Sequence, residues 1–181
     1  MDFLRPTVAL GLLIAPLLSG CGGQDDTPDT SLLAPPASGV QLSMITKLEP
    51  ASEVEHCKFV KIGDTDLHVN RDEVRYTAGS HHFLLYETTY ADIPTKNDSG
   101  KAVDTSGVFD CSSGATNGWS VRRLVGGSQN ASGGSIVRFP PGVAIHIKAG
   151  TVLLMNAHYV NASSEPREPE IRINLHTIAK E

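Results

Sequence analysis

Hydrophobic positions in this chain fall in short runs, interrupted at close intervals by clusters of Gly, Pro, Asn, Asp and Ser. From about Val40 onward β-branched residues are frequent and apolar and polar positions tend to alternate. No stretch sustains the 3.6-residue apolar period of an amphipathic helix. The pattern predicts strands near 41–47, 54–62, 66–69, 80–90, 107–110, 119–124, 136–138, 143–148, 151–161 and 170–178. Short strands at this spacing predict an all-β fold: a single-domain jelly-roll β-sandwich. Two runs dominate, Gly150 to Asn161 and Gly79 to Tyr90, and each carries histidine. Two polar stretches, Ile93 to Gly107 and Gly126 to Ser135, read as loops.

The N-terminal pattern is different. Arg5 precedes an apolar stretch from Val8 to Leu18, too short to span a bilayer comfortably. It ends in Leu18-Ser19-Gly20-Cys21, which looks like a bacterial lipobox. The expected organisation is a lipoprotein signal peptide over 1–20, a flexible tether over 21–40 and the sandwich over 41–181. Cys21 would carry the lipid, making the membrane a partner through its acyl anchor. The expected location is the bacterial cell envelope, on a periplasmic membrane face or the cell surface. An ordinary secretory signal with an incidental cysteine is the alternative.

Composition adds limits. The 181 residues are 40% hydrophobic and 19% charged, with a net charge of −5. No basic cluster is evident, so nucleic acid is not an expected partner. Export would leave Cys57 and Cys111 in an oxidising compartment, where a disulfide persists; two separate buried thiols are the alternative. There is no Gly-rich phosphate loop and no Gly-x-Ser-x-Gly nucleophile elbow.

Strand alternation sorts the 7 histidines. His56, His68, His146 and His176 fall on polar faces and read most simply as solvated. His158 shares a face with Val152, Leu154, Asn156 and Val160, so its ring is expected among apolar neighbours and needs partners for both nitrogens. On that strand alone, a core histidine bonded to a neighbouring strand is the simpler reading. The adjacent pair His81-His82 changes the balance. Neighbouring side chains in a regular strand diverge, so both reach one ion only at a strand end or an irregularity, and Gly79-Ser80 supplies an end. Three imidazoles, His81, His82 and His158, would suit one copper ion better than zinc, which prefers a tetrahedral set. Met155 falls on the opposite face and reads as core. Tyr86 and Tyr159 are candidates to line the site, or simply sandwich aromatics.

The segments Ser80-His81-His82-Phe83-Leu84-Leu85-Tyr86, Phe109-Asp110-Cys111, Trp119, Phe139-Pro140-Pro141-Gly142-Val143-Ala144 and Leu154-Met155-Asn156-Ala157-His158-Tyr159-Val160-Asn161 follow Cys57 in order. Together they resemble the N-terminal domain of the copper type II, ascorbate-dependent monooxygenases, the family of peptidylglycine α-hydroxylating and dopamine β-monooxygenases. The resemblance implies a jelly roll in which His81, His82 and His158 hold the electron-transfer copper, with ascorbate as reductant. In that family a second domain supplies another copper through a His-x-His pair and a methionine. This sequence contains no His-x-His, so either a partner protein supplies the second copper domain or the single site serves another use.

Three functions follow from these readings. The chain could be a redox copper domain, a copper-binding or storage lipoprotein without turnover, or a metal-free sandwich whose histidines are structural. Whether it is an enzyme therefore stays open at the level of sequence, with an oxidoreductase favoured by the resemblance.

Overall fold

The computed structural model describes residues 33–179, apart from 115, 131 and 132. The expected signal peptide and Cys21 lie outside the described residues. Ten strands form: β1 (Gly39–Ile45), β2 (Ser52–Lys61), β3 (Leu67–Tyr76), β4 (Ser80–Thr88), β5 (Val108–Asp110), β6 (Val121–Ser128), β7 (Gly134–Arg138), β8 (Ile145–Ile147), β9 (Val152–Asn161) and β10 (Glu170–Thr177). β1 begins within the stretch expected to be tether. The carbonyls of Leu33 and Ala34 already accept hydrogen bonds from Gln41 and Asn174, so the domain starts before residue 41.

Two antiparallel sheets pack face to face. One runs β1-β10-β3-β7, with β8 also paired to β3; the other runs β5-β2-β9-β4-β6. β1 pairs β10, β2 pairs β9, β3 pairs β8 and β4 pairs β6. The first half of the chain thus folds back on the second like one long hairpin rolled into two layers, which is the winding of a jelly roll. The fold is the all-β sandwich that the pattern predicts.

Two apolar clusters hold the layers. Between the sheets lie Val74, Phe83, Leu85, Met155, Tyr159 and Ile173, with the rest of the main core. A smaller cluster covers the outer face of the second sheet: Phe59 at its centre, with Phe109, Trp119, Val152, Leu154 and the Cys57–Cys111 disulfide. Phe59 sits 5.6 Å from Phe109 and 5.0 Å from Trp119, centroid to centroid. β9 is therefore covered on both faces, and residues 152–157 are all buried. That double cover explains its nearly unbroken apolar run.

Two strands run well beyond their predicted bounds. β3 continues to Tyr76 rather than ending at 69. A bulge in the β3–β10 ladder, between His176 and Thr177, shifts the phase of alternation near Asn70. Beyond it the inward positions are Asp72, Val74 and Tyr76, and a buried aspartate masks the apolar period. β6 extends through Gly126 and Gly127, in the stretch expected to be loop. A Cβ at Gly126 would stand 3.2 Å from the Asp72 carboxyl carbon, and one at Gly127 would stand 2.5 Å from the Phe83 carbonyl oxygen. These glycines allow close packing inside a strand rather than a break in it.

Candidate metal centre

The three histidines singled out from sequence converge on the outer face of the second sheet. His82 on β4 lies directly opposite His158 on β9. The ladder pairs Ser80 with Tyr159 and His82 with His158, so His81 is an extra residue in β4, a bulge. A bulge bends its strand and re-aims a side chain. It lets two consecutive residues serve one side of a sheet, where regular alternation would send them apart. Gly79, at φ +101°, makes the turn into this irregular start, and its carbonyl accepts the Val160 N–H at 2.9 Å.

Ring centroids are 5.4 Å apart for His81 and His82, and 5.1 Å for each of these with His158. One nitrogen from each ring can be chosen so that all lie within 4.8 Å of one another. Two nitrogens that share an ion at about 2.0 Å stand at most about 4 Å apart. The His81 Nδ1 to His158 Nδ1 distance of 3.1 Å meets that limit as it stands.

Glu53, on β2, faces the same centre. Its Oε1 lies 2.9 Å from His158 Nε2, which donates to it. The carboxylate thereby fixes the tautomer, leaving the Nδ1 lone pair of a neutral His158 directed at His81. A carboxylate holding the far nitrogen of a metal-binding imidazole is a recurrent support for such sites. Glu55 also lies on this side: burial, joined by the Glu55 charge, pushes the Tyr86 phenol up, and that charge also acts to raise His82. The larger effect on His82 is burial, which lowers its pKa from 6.5; the neighbouring His158 and His81 lower it further. A lowered pKa keeps the imidazole neutral, the form that binds metal. Asn156 reaches from the centre toward the disulfide, with Nδ2 3.6 Å from Cys57 Sγ and 3.5 Å from Cys111 Sγ.

The surroundings of His158 are half as expected. Val152, Leu154 and Asn156 on its face are buried, but its own side chain keeps 18% exposure beside Glu53. Met155 is fully buried in the main core, as its phase predicts, and Tyr159 points there too. Lying between the sheets, Tyr159 does not line the site, and its hydroxyl has no hydrogen-bond partner among the described residues. Tyr86 packs on the outer cluster.

The remaining histidines are not merely solvated. His56 bonds Thr46 at 2.5 Å. His146 bonds Asp66 at 2.7 Å and stacks on His68 at 4.8 Å. His176 bonds Arg71. Cross-strand register makes the His68–His146 and Arg71–His176 pairs, and Thr46 reaches His56 from the other sheet, which cannot be read from one strand alone. Glu53 and Glu55 were missed for the same reason. Their alternation places them on one face of β2, but only the pairing of Glu55 with His158 and Glu53 with Val160 brings that face to the histidines.

Fold and site together define a β-sandwich with a three-histidine cluster able to hold a metal ion on the outside of one sheet. No protein-family profile matches this chain, and no curated protein matches it.

Proposed function

We propose that this chain is a copper-binding redox domain, holding one copper ion at His81, His82 and His158. The observation that carries the proposal is the bulge at His81, which brings two consecutive imidazoles to a third on the neighbouring strand. Three neutral nitrogens without a bound anion suit copper in its reduced state, which accepts low coordination. Bound copper would supply one-electron chemistry, with ascorbate as a candidate reductant. The chain's own part is to hold the rings in place. His158 stands on a strand packed on both faces, Glu53 orients its ring, and burial keeps His82 unprotonated. The resemblance to ascorbate-dependent copper monooxygenases supports this reading, and so does the jelly-roll winding. A lipid anchor at Cys21 would place the domain on the cell envelope, where a partner protein could supply a second copper.

A second reading is copper binding or storage without turnover. His81 is exposed, which would let an ion pass to or from another protein.

Titration of purified protein with Cu(I) and Cu(II) tests both. One equivalent should bind tightly, and His158→Ala should abolish that binding. Undiminished binding in the variant, or a strong preference for zinc, would sink the assignment. Ascorbate consumption under oxygen by the copper-loaded protein separates redox turnover from storage.

A further inference from the structure

The other sheet carries a second unusual arrangement. Across three adjacent strands, His176 on β10 lies directly opposite Arg71 on β3, and Arg71 lies directly opposite Arg138 on β7. Directly opposed residues share one face of a sheet. The row therefore runs across the outer surface, away from the core positions Asp72 and Leu175. It lines a hollow of about 540 Å³ together with Ser38, Asn70, Phe139 and Thr177.

Like charges directly opposite each other in a sheet repel, and among the described residues no carboxylate pairs with either arginine. Arg75, Arg122, Arg123 and Arg172 each meet a carboxylate. Arg71 and Arg138 do not. Arg71 spends its Nη2 on His176, at 2.7 Å from Nδ1. The Arg138 side chain makes no hydrogen bond or ion pair with any described residue. Among the described residues no carboxylate lines the hollow, and Glu73 reaches the row at His176 Nε2, 3.5 Å away. Burial first, then the Arg71 and Arg138 guanidinium groups, lower the His176 pKa, and Glu73 opposes them. Two hydroxyls complete the rim: Ser38 Oγ and Thr177 Oγ1, 2.9 Å apart.

We infer that Arg71, Arg138 and His176 form a binding site for a phosphate-type oxyanion. Guanidinium forks match the oxygens of such a group in pairs, and the hydroxyls and the Asn70 amide can take the remaining oxygens. The anion would supply the negative charge that the opposed arginines lack. The phosphate could be free in solution or belong to a lipid headgroup, and both present the same chemistry. This inference is independent of the histidine centre, which lies on the outside of the opposite sheet.

The test is thermal unfolding of the full chain in sodium phosphate against sodium chloride of equal ionic strength, repeated with Arg138→Gln and Arg138→Lys. Phosphate should raise the wild-type melting temperature in a saturable way. Arg138→Gln should weaken phosphate binding about tenfold or more, the scale of a lost charge-assisted hydrogen bond. Without phosphate it should melt no lower than wild type, because it removes a repulsion. Arg138→Lys should fall between, keeping charge but losing the fork. Equal stabilisation by chloride, or a phosphate effect unchanged in Arg138→Gln, overturns the proposal, as does a variant that melts lower without phosphate and responds to phosphate like wild type. Sedimentation with phosphatidylglycerol and phosphatidylcholine vesicles then identifies the source. Arg138-dependent cosedimentation points to a headgroup, and saturable phosphate binding without it points to the free ion.

Discussion

The Nδ1 atoms of His81 and His158 stand 3.1 Å apart across 77 positions of sequence. With His158 Nε2–H donated to Glu53, its Nδ1 is bare in the neutral ring. That nitrogen takes either a proton shared from His81 or a cation. The carboxylate thus prepares the ring for metal without binding the ion itself.

Glu53→Gln should therefore leave the fold intact and weaken metal binding about 10- to 100-fold, the usual effect of losing such a support. Competition with a chelator of known affinity measures it. An affinity equal to wild type would show that Glu53 only decorates the surface.

Asp72 sets a pH dependence of stability. Burial raises its pKa from 3.8 to about 6, partly opposed by the Gly127 N–H that it accepts. The folded state then holds this proton more tightly than the unfolded chain does. The sign follows: Asp72 contributes stability at low pH and loses it as pH rises from about 4 through about 6. Asp72→Asn should remove this contribution, so the variant should gain melting temperature relative to wild type at pH 7 and not at pH 4. Parallel melting curves at both values would refute the burial argument.

The Cys57–Cys111 bridge closes a loop with a sequence separation of 54. Loop closure of that length stabilises by about 4 kcal/mol in the chain-entropy account. Cys57→Ser with Cys111→Ser should lower unfolding free energy by about 2–4 kcal/mol in denaturant titration. The aromatic cluster around Phe59, which the bridge borders, should lose fluorescence order at Trp119 first.

Tyr159 is fully buried, and its hydroxyl is unpaired among the described residues. Removing an unsatisfied polar atom from a core costs little and can stabilise. Tyr159→Phe should match or exceed wild-type stability, by up to about 1 kcal/mol. A loss of stability would mean that a bound water satisfies the hydroxyl.

Much of the fold was legible because alternation and turn residues act locally. All ten strands are anticipated near their places, and Met155 takes the face its phase predicts. What failed depends on partners. β3 was cut short because a bulge at Asn70 reset its alternation and a buried aspartate hid its inward face. Gly126 and Gly127 read as a break because a single strand cannot reveal that Asp72 and Phe83 press against it. The candidate centre was legible as three histidines, since a paired imidazole at a strand start is conspicuous. Glu53 was not, because its nearness to His158 arises only from register. The same holds for Arg71 and Arg138, each unremarkable until aligned.

The rolled-hairpin winding has a consequence for assembly. β4 meets β9 only after the chain between them has crossed to the other sheet and returned, so this pairing is among the long-range contacts that form slowly. The ring nitrogens of His81 and His82 have no third neighbour until that closure. A metal offered to the newly made chain would find two adjacent imidazoles at most, and tight loading should lag behind the appearance of native β structure.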